Sequence, residues 1–292
     1  MNTWIDLDLP VHYLDFGGPA DATVLVAVHG LGGSALNWLS IAPLLTSRYR
    51  LVAPDLAGHG LTRARGRSTA VRANRALLHQ FVTTITDQPV VLLGNSMGGM
   101  IALLEAGLQP ETVAGLALLD PASPFLPGVP DPLIAAAFAG YATPVLNRAI
   151  MVARRRLVSP EAAVRALLRL LCVDPSRVAA DVVAEHVEQA RVRSAFPHAD
   201  QEFLRAARSV VATASGLRRS SYRAIIQTVT APALVIHGDQ DRLIPVAASR
   251  ALARQHPTWQ LVVLPDVGHV PQLEAPEATA RALLTWLDEQ SL

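Results

Sequence analysis

The stretch Val90–Met100, VVLLGNSMGGM, decides the fold. A short apolar run closes at Gly94, Ser96 follows two places on, and Gly98 and Gly99 lead into a helix-compatible apolar run. This is G-x-S-x-G between a strand and a helix, a sharp turn that lifts a serine hydroxyl clear of a sheet. The glycines have steric reasons: with no Cβ at 94 or 98, strand and helix approach closely across a turn that strains the serine backbone. The pattern is short enough to arise by chance, so the chain around it has to carry the case.

Upstream lies Thr23–His29, TVLVAVH, an unbroken β-branched and apolar run. Such runs belong to strands covered on both faces, as in a parallel sheet. Residues 50–54, 90–93, 116–119 and 233–237 have the same character, and 260–264 adds one more near the end. Two short segments at 3–7 and 11–15, with Pro10 between them and Gly17-Gly18 after, read as a strand pair. Helical segments fall between most strands, at 36–46, 71–85, 98–107, 246–255 and 276–289. Alternating strands and helices imply an α/β fold, a mostly parallel doubly wound sheet with right-handed crossovers.

The alternation fails between Asp120 and Gln227. That interval opens with the proline-rich PASPFLPGVPDP at 121–132 and continues with helix-period segments at 160–171 and 181–193. Nothing in it reads as a strand. We expect a helical lid at 122–221, inserted after the sixth strand between core segments 1–121 and 222–292, with Ala231-Pro232 marking re-entry.

Composition narrows the class. The chain has 292 residues, 51% of them hydrophobic and 17% charged, which suits a globular protein with a sizeable core. Every basic residue is an arginine, and the net charge is +1. The dense basic clusters, at 154–156 and 218–219, read as solvated faces, so no nucleic-acid footprint is expected. Without lysine, a Walker A phosphate loop is excluded. The single cysteine, Cys172, excludes an internal disulfide and reads as a buried small hydrophobe. The N-terminus has acids and no apolar core of signal-peptide length, so a cytoplasmic location is expected. The apolar stretch 133–146 is shorter than a bilayer span and is interrupted by Gly140 and Pro144, so no membrane insertion is expected. Oligomeric state is not legible.

In open α/β sheets ligands sit outside the carboxyl ends of the strands. The residues just past those ends are His29-Gly30-Leu31-Gly32-Gly33-Ser34, Asp55–Gly60, Gly94-Asn95-Ser96, Asp120, Gly238-Asp239-Gln240-Asp241 and Gly268-His269. A serine, several acids and a histidine converge on one edge. The chain order Ser, Asp, His of the nucleophile-elbow enzymes selects Ser96, Asp241 and His269.

The pieces HGLGG, PDLAGHG, GNSMGG, HGDQDRLIP and GHVPQLEAPE, each at the end of its strand, resemble the α/β-hydrolase superfamily in its lid-bearing form, and the likeness covers essentially the whole chain outside the insertion. The resemblance implies a serine hydrolase. Asp241, three residues beyond Gly238 and four before Pro245, takes the acid position. His269 would take the Ser96 proton, since a serine hydroxyl is a poor nucleophile until a base removes it. Asp241 would fix the tautomer of His269 and stabilise the imidazolium. The oxyanion would be met by the backbone N–H groups of Leu31 and Met97. No cofactor and no metal are implied.

Other readings of these residues exist. Gly30–Ala35 also fits G-x-G-x-x-A after a strand, with Asp55 about 20 residues on, the outline of an NAD-binding fingerprint. That reading leaves the elbow and the Asp241 and His269 loops without a task. Asp120 is the second place where this fold seats its acid, and otherwise caps the turn before Pro121. Asp239 is expected to hold its loop, Asp55 to anchor the turn at Gly58–Gly60, and His29, His59 and His237 to be hydrogen-bonded structural groups. His12, His79, His186, His198 and His256 show no pairing at metal-ligand spacing. A ligand-binding member without turnover is a third reading, against which the complete Ser96, Asp241, His269 set argues.

The insertion carries apolar clusters at 133–138 and 149–152. A lid over the strand ends would exclude water from Ser96 and form an apolar pocket with Gly30, Leu31, Trp38, Met97 and Val270. The expected partner is therefore a small-molecule ester of small to medium size and low polarity. A serine at the elbow disfavours the dehalogenases and epoxide hydrolases of the fold, which attack with a carboxylate. GNSMGG also resembles the hydrolases that cleave C–C bonds of ring-fission products, but HGLGGS lacks their proline-bearing oxyanion loop, and Val270 stands where they carry a bulkier or polar residue.

Overall fold

The computed structural model describes residues 2–124, 158–215 and 222–292. The apolar clusters at 133–138 and 149–152, the stretch 133–146, the arginine runs and most of the proline-rich exit lie outside the described residues. The eight strands are β1 (Asn2–Asp6), β2 (Pro10–Gly17), β3 (Val24–Val28), β4 (Arg50–Pro54), β5 (Val90–Asn95), β6 (Val113–Leu119), β7 (Ala233–Gly238) and β8 (Gln260–Leu264). They form one sheet in the order β1-β2-β4-β3-β5-β6-β7-β8. The β1/β2 and β2/β4 pairs are antiparallel and the remaining pairs parallel. The order reverses around β3, as the doubly wound reading requires.

The two faces explain the unbroken apolar runs. Val26 and Val28 of β3, like Val90 and Leu92 of β5, enter one buried cluster, with Leu78 and Phe81 of α2 (Val71–Ile85) and Ile101 and Leu104 of α3 (Met97–Leu108). Leu25, Ala27, Val91 and Leu93 enter the opposite cluster, with Leu45 of α1 (Ala42–Leu45) and Leu283 and Trp286 of the C-terminal helix at Pro276–Gln290. Both sides of each central strand are therefore dry. Full burial of one such large side chain contributes roughly 1.5–3 kcal/mol, which is why alternation gives way to continuous hydrophobicity here.

The single helix expected at 36–46 is instead a 3₁₀ turn at Ala35–Trp38 followed by the one-turn α1. Ser34 and Asn37 close a capping box on the first piece. Pro43, at the second position of α1, cannot donate to a carbonyl four residues back, so one continuous helix cannot form.

Between β6 and β7 the described residues hold α4 (Pro160–Leu171), α5 (Ala180–Ser194), α6 (Ala199–Ala214) and α7 (Tyr222–Ile226), and no strand. The sequence reading did not anticipate α6. It docks on the core through polar ties: Val71 N–H donates to Ser209 Oγ at 3.0 Å, and Thr69 Oγ1 donates to Glu202 O at 2.7 Å. From α5, Arg193 donates to the carbonyls of Gly60 and Gly58 at 2.6 and 2.9 Å. Among the described residues no helix is long and apolar enough to cross a membrane. The chain ends with α8 (Val246–Gln255), the one-turn α9 (Pro271–Glu274) and α10 (Pro276–Gln290).

Candidate active site

Ser96 stands at φ 55°, ψ −114°, between the last residue of β5 and the first of α3. A left-handed φ costs a non-glycine residue roughly 1–2 kcal/mol, and neighbouring hydrogen bonds hold it there. Ser96 N–H donates to Leu119 O at 3.0 Å, while its carbonyl accepts from Met100 N–H at 3.1 Å and Ala122 N–H at 3.0 Å. A Cβ at Gly98 would lie 2.0 Å from Val28 O, so the close approach of α3 to β3 demands glycine there. The serine remains partly exposed while its neighbours are buried.

Past β8, His269 is 3% exposed, and its Nδ1 lies 2.6 Å from Oδ2 of Asp241, past β7. Oδ1 of Asp241 accepts from Leu243 N–H at 2.7 Å and Ile244 N–H at 3.1 Å, which fixes the carboxylate plane. Burial pushes the Asp241 carboxyl up, but the charge and hydrogen bond of His269, with help from His237, outweigh it and hold the group below its ordinary value.

Asp120 occupies the same buried region. A carboxylate oxygen of Asp120, one of Asp241 and a ring nitrogen of His269 all lie within 4.8 Å of one another. Its Oδ1 accepts from Gly238 N–H at 3.0 Å, and its Oδ2 has no hydrogen-bond partner among the described residues. Burial, then the negative Asp241, drive the Asp120 carboxyl well above its ordinary value. The two acids thus differ in kind: the one bonded to the histidine is held below its ordinary pKa and the other is pushed well above it.

Asn95 is a site residue that sequence reasoning passed over. Its side-chain amide donates to His269 O at 3.0 Å and to Leu119 O at 3.1 Å. The residue before the serine therefore ties the elbow to the histidine loop and to the end of β6. Its place inside the elbow motif was the available signal.

The loop after β3 turns at Gly30, with Gly33 N–H donating to Gly30 O at 3.1 Å. A Cβ at Gly30 would sit 3.2 Å from Ser96 Cβ, so this loop abuts the elbow. Met97, as the first residue of α3, has no intrahelical acceptor for its N–H. The side chains expected to line a pocket are distributed among packed clusters: Met97 and Leu31 with the first, Trp38 with the second, and Val270 with the cluster beneath α4 and α5. Trp38 is fully buried, and its indole N–H has no partner among the described residues.

The other strand-end groups are engaged in hydrogen bonds of their own. Asp55 is 0% exposed, accepts from Ala35 N–H and Leu61 N–H, each at 2.7 Å, and lies 2.6 Å from His12 Nδ1. An acid so enclosed cannot reach a ribose hydroxyl, which removes the anchor of the NAD-binding reading. Asp239 accepts from Asp266 N–H at 2.8 Å, as a loop anchor should. His29 Nε2 accepts from Leu56 N–H at 3.1 Å, and His237 bonds Ser249 Oγ and Ile244 O at 2.7 and 2.9 Å. Burial lowers the pKa of His29, His59 and His237 and keeps them neutral.

The model of one protein family, described as alpha/beta hydrolase fold, matches residues 23–276. A pimeloyl-[acyl-carrier protein] methyl ester esterase of Aromatoleum aromaticum is 31% identical over 256 residues, covering 88% of this chain and 94% of that protein. The dihydrolipoyllysine-residue acetyltransferase component of the acetoin cleaving system of Pseudomonas putida is 29% identical over 282 residues, 95% of this chain, which spans 66% of that longer protein. A 2-hydroxy-6-oxo-6-(2'-aminophenyl)hexa-2,4-dienoic acid hydrolase of Metapseudomonas resinovorans is 27% identical over 276 residues, covering 91% of this chain and 84% of that protein.

Proposed function

The chain belongs to the α/β-hydrolase fold family, and from that premise we propose that it is a serine hydrolase cleaving a carboxylic ester of a small to medium apolar substrate. The observation that carries the reading is the 2.6 Å contact of His269 Nδ1 with an ionised, buried Asp241, on the same sheet edge as a serine at a strained elbow. A histidine bonded to a carboxylate through Nδ1 presents Nε2 as a base. His269 takes the Ser96 Oγ proton as Oγ adds to the ester carbonyl. The oxyanion that forms is met by the N–H groups of Leu31 and Met97, each such donor typically worth about 3 kcal/mol in the transition state. Collapse expels the alcohol, which leaves with the proton from His269. Water, activated by the same histidine, then releases the acid from the acyl-enzyme. Asp241 stays ionised throughout and stabilises the imidazolium. The inserted helices act as a lid that keeps bulk water from the acyl pocket.

The methyl ester esterase relative, aligned over nearly its whole length, supports ester cleavage. Cleavage of a C–C bond in a ring-fission product is the second reading, favoured by GNSMGG and by the dienoic acid hydrolase relative. A panel of p-nitrophenyl esters of graded chain length, assayed beside a ring-fission dienoate, separates the two. Turnover of the esters with a short-to-medium chain optimum supports the first. Turnover of the dienoate alone overturns it. A fluorophosphonate probe should label Ser96 and not the Ser96→Ala variant.

A further inference from the structure

The loop that carries His269 is gripped from outside the sheet by one short segment of the inserted helices, Leu171–Arg177. His269 N–H donates to Leu171 O, in the last turn of α4, at 2.6 Å. Gly268 N–H donates to Glu274 Oε2 and Asp174 N–H donates to Glu274 Oε1, both at 2.8 Å, so one carboxylate bridges the histidine loop and the insertion. Glu274 is 2% exposed. Arg177 completes the grip. Its Nη1 donates to Asp266 O at 2.6 Å and lies 3.8 Å from Glu274 Oε1, and its Nη2 bonds Asp266 Oδ2.

The approach is as close as a backbone allows. A Cβ at Gly268 would fall 2.2 Å from Leu171 O, so only glycine lets α4 end against this loop. On the opposite side the carbonyl of His269 accepts from Asn95. The main chain of the histidine is thus fixed at both polar atoms, its N–H by the insertion and its C=O by the elbow. Its ring is held by Asp241. A last-turn helix carbonyl has no intrahelical donor, so α4 gains a partner from the same contact that orients the loop.

We propose that Leu171–Arg177 is a positioning element for the catalytic base, with Glu274 as the positioning residue that couples the inserted helices to His269. This rests on His269 being the base. The inserted helices are then part of the catalytic geometry as well as a cover: loosening the clamp lets the imidazole leave the line between Asp241 and Ser96 without altering what the pocket binds.

The test compares wild type, Glu274→Gln and Arg177→Ala in the full chain. Gln at 274 retains one acceptor and loses the second, while Arg177 is on the surface and its loss should leave the fold intact. Two quantities are read: ester kinetics, and the low-field proton resonance expected of an imidazole Nδ1–H held 2.6 Å from a carboxylate oxygen. Glu274→Gln should lower kcat by about 10–100-fold with KM within about threefold, and weaken or broaden the resonance. Arg177→Ala should do the same to a smaller degree. Wild-type kcat and an unchanged resonance in folded variants overturn the proposal, as does a loss confined to KM. If Glu274→Gln does not fold, Arg177→Ala decides alone by the same criteria. If the wild type neither hydrolyses esters nor accepts the fluorophosphonate, the hydrolase reading fails, while the resonance comparison still decides whether the clamp holds His269.

Discussion

Asp120 and Asp241 converge on one atom of the buried His237 ring, its Nε2, which lies 3.4 Å from an oxygen of the first and 3.5 Å from one of the second. Both follow parallel strands and both are candidates for the acid that orients His269. Only Asp241 bonds it, and burial together with the nearby negative Asp241 drives the Asp120 carboxyl well above its ordinary value.

The first prediction separates the two acids. Asp241→Asn should lower kcat by on the order of 10³–10⁴-fold, because the amide cannot hold the required tautomer. Asp120→Asn should change kcat by less than about tenfold. A neutral amide reproduces the neutral acid, and asparagine tolerates the φ of 46° found there. Steady-state ester kinetics on the two variants check this, and the opposite ranking would move the acid to position 120.

The same substitution has a stability consequence with a definite sign. A carboxyl whose folded pKa is raised above its unfolded value stabilises the fold at low pH, and that contribution is lost as pH rises from the unfolded value towards the folded one. Near neutral pH and above, ionisation pulls towards the unfolded state, so Asp120→Asn should raise Tm at pH 8 relative to wild type. Thermal melts at pH 8 check it.

Acid should act through the histidines. Burial lowers the pKa of His29, His59 and His237 below their ordinary value of about 6.5. The unfolded chain therefore binds protons first as pH falls, and stability should decline from about pH 6.5 downward. Asp120 opposes this trend, so the decline should be steeper in Asp120→Asn. A flat Tm between pH 7 and pH 5 in that variant would show that these rings do not enter the balance.

Strain at the elbow predicts a split between two inactive variants. Ser96→Gly and Ser96→Ala both remove the nucleophile, but only glycine relieves the positive φ of 55°. Ser96→Gly should be more stable than Ser96→Ala by roughly 1 kcal/mol, measured by urea unfolding.

Asn95→Ala leaves the buried carbonyl of His269 without its donor, while that of Leu119 keeps the N–H of Ser96. The expected cost is about 1–3 kcal/mol for the one acceptor left bare, and kcat should fall with it. Loss of stability without loss of kcat would mean that the His269 carbonyl needs no tie to the elbow.

Much of the molecule was legible because one physical rule repeats along it. Strands covered on both faces read as continuous apolar runs, so each central strand, and hence each strand end, could be found from Thr23–His29 onward. The helix at 36–46 breaks in two because the apolar spacing there is helical while Pro43 forbids continuity, and apolar spacing does not register a missing donor. The helix at 199–214 was legible as well, since Phe203, Leu204, Ala207, Val211 and Ala214 recur at helical spacing. Glu274 and Asn95 stood inside quoted motifs, yet their partners are 100 and 174 residues away in sequence, at Asp174 and His269.

The sequence by itself determined the strands, the mostly parallel doubly wound class and the set of groups at the strand ends, since these follow from local periodicity and from which residues end each strand. Tertiary structure decided which acid bonds His269 and in which direction each carboxyl is shifted. Asp120 and Asp241 are the same residue type at equivalent strand ends, and it is the bond to His269, with His237 and the loop N–H of Ile244, that holds Asp241 down while burial and the Asp241 charge push Asp120 up. It also decided that the end of α4 holds the His269 loop, because a carbonyl meets an amide there only after the whole chain has closed.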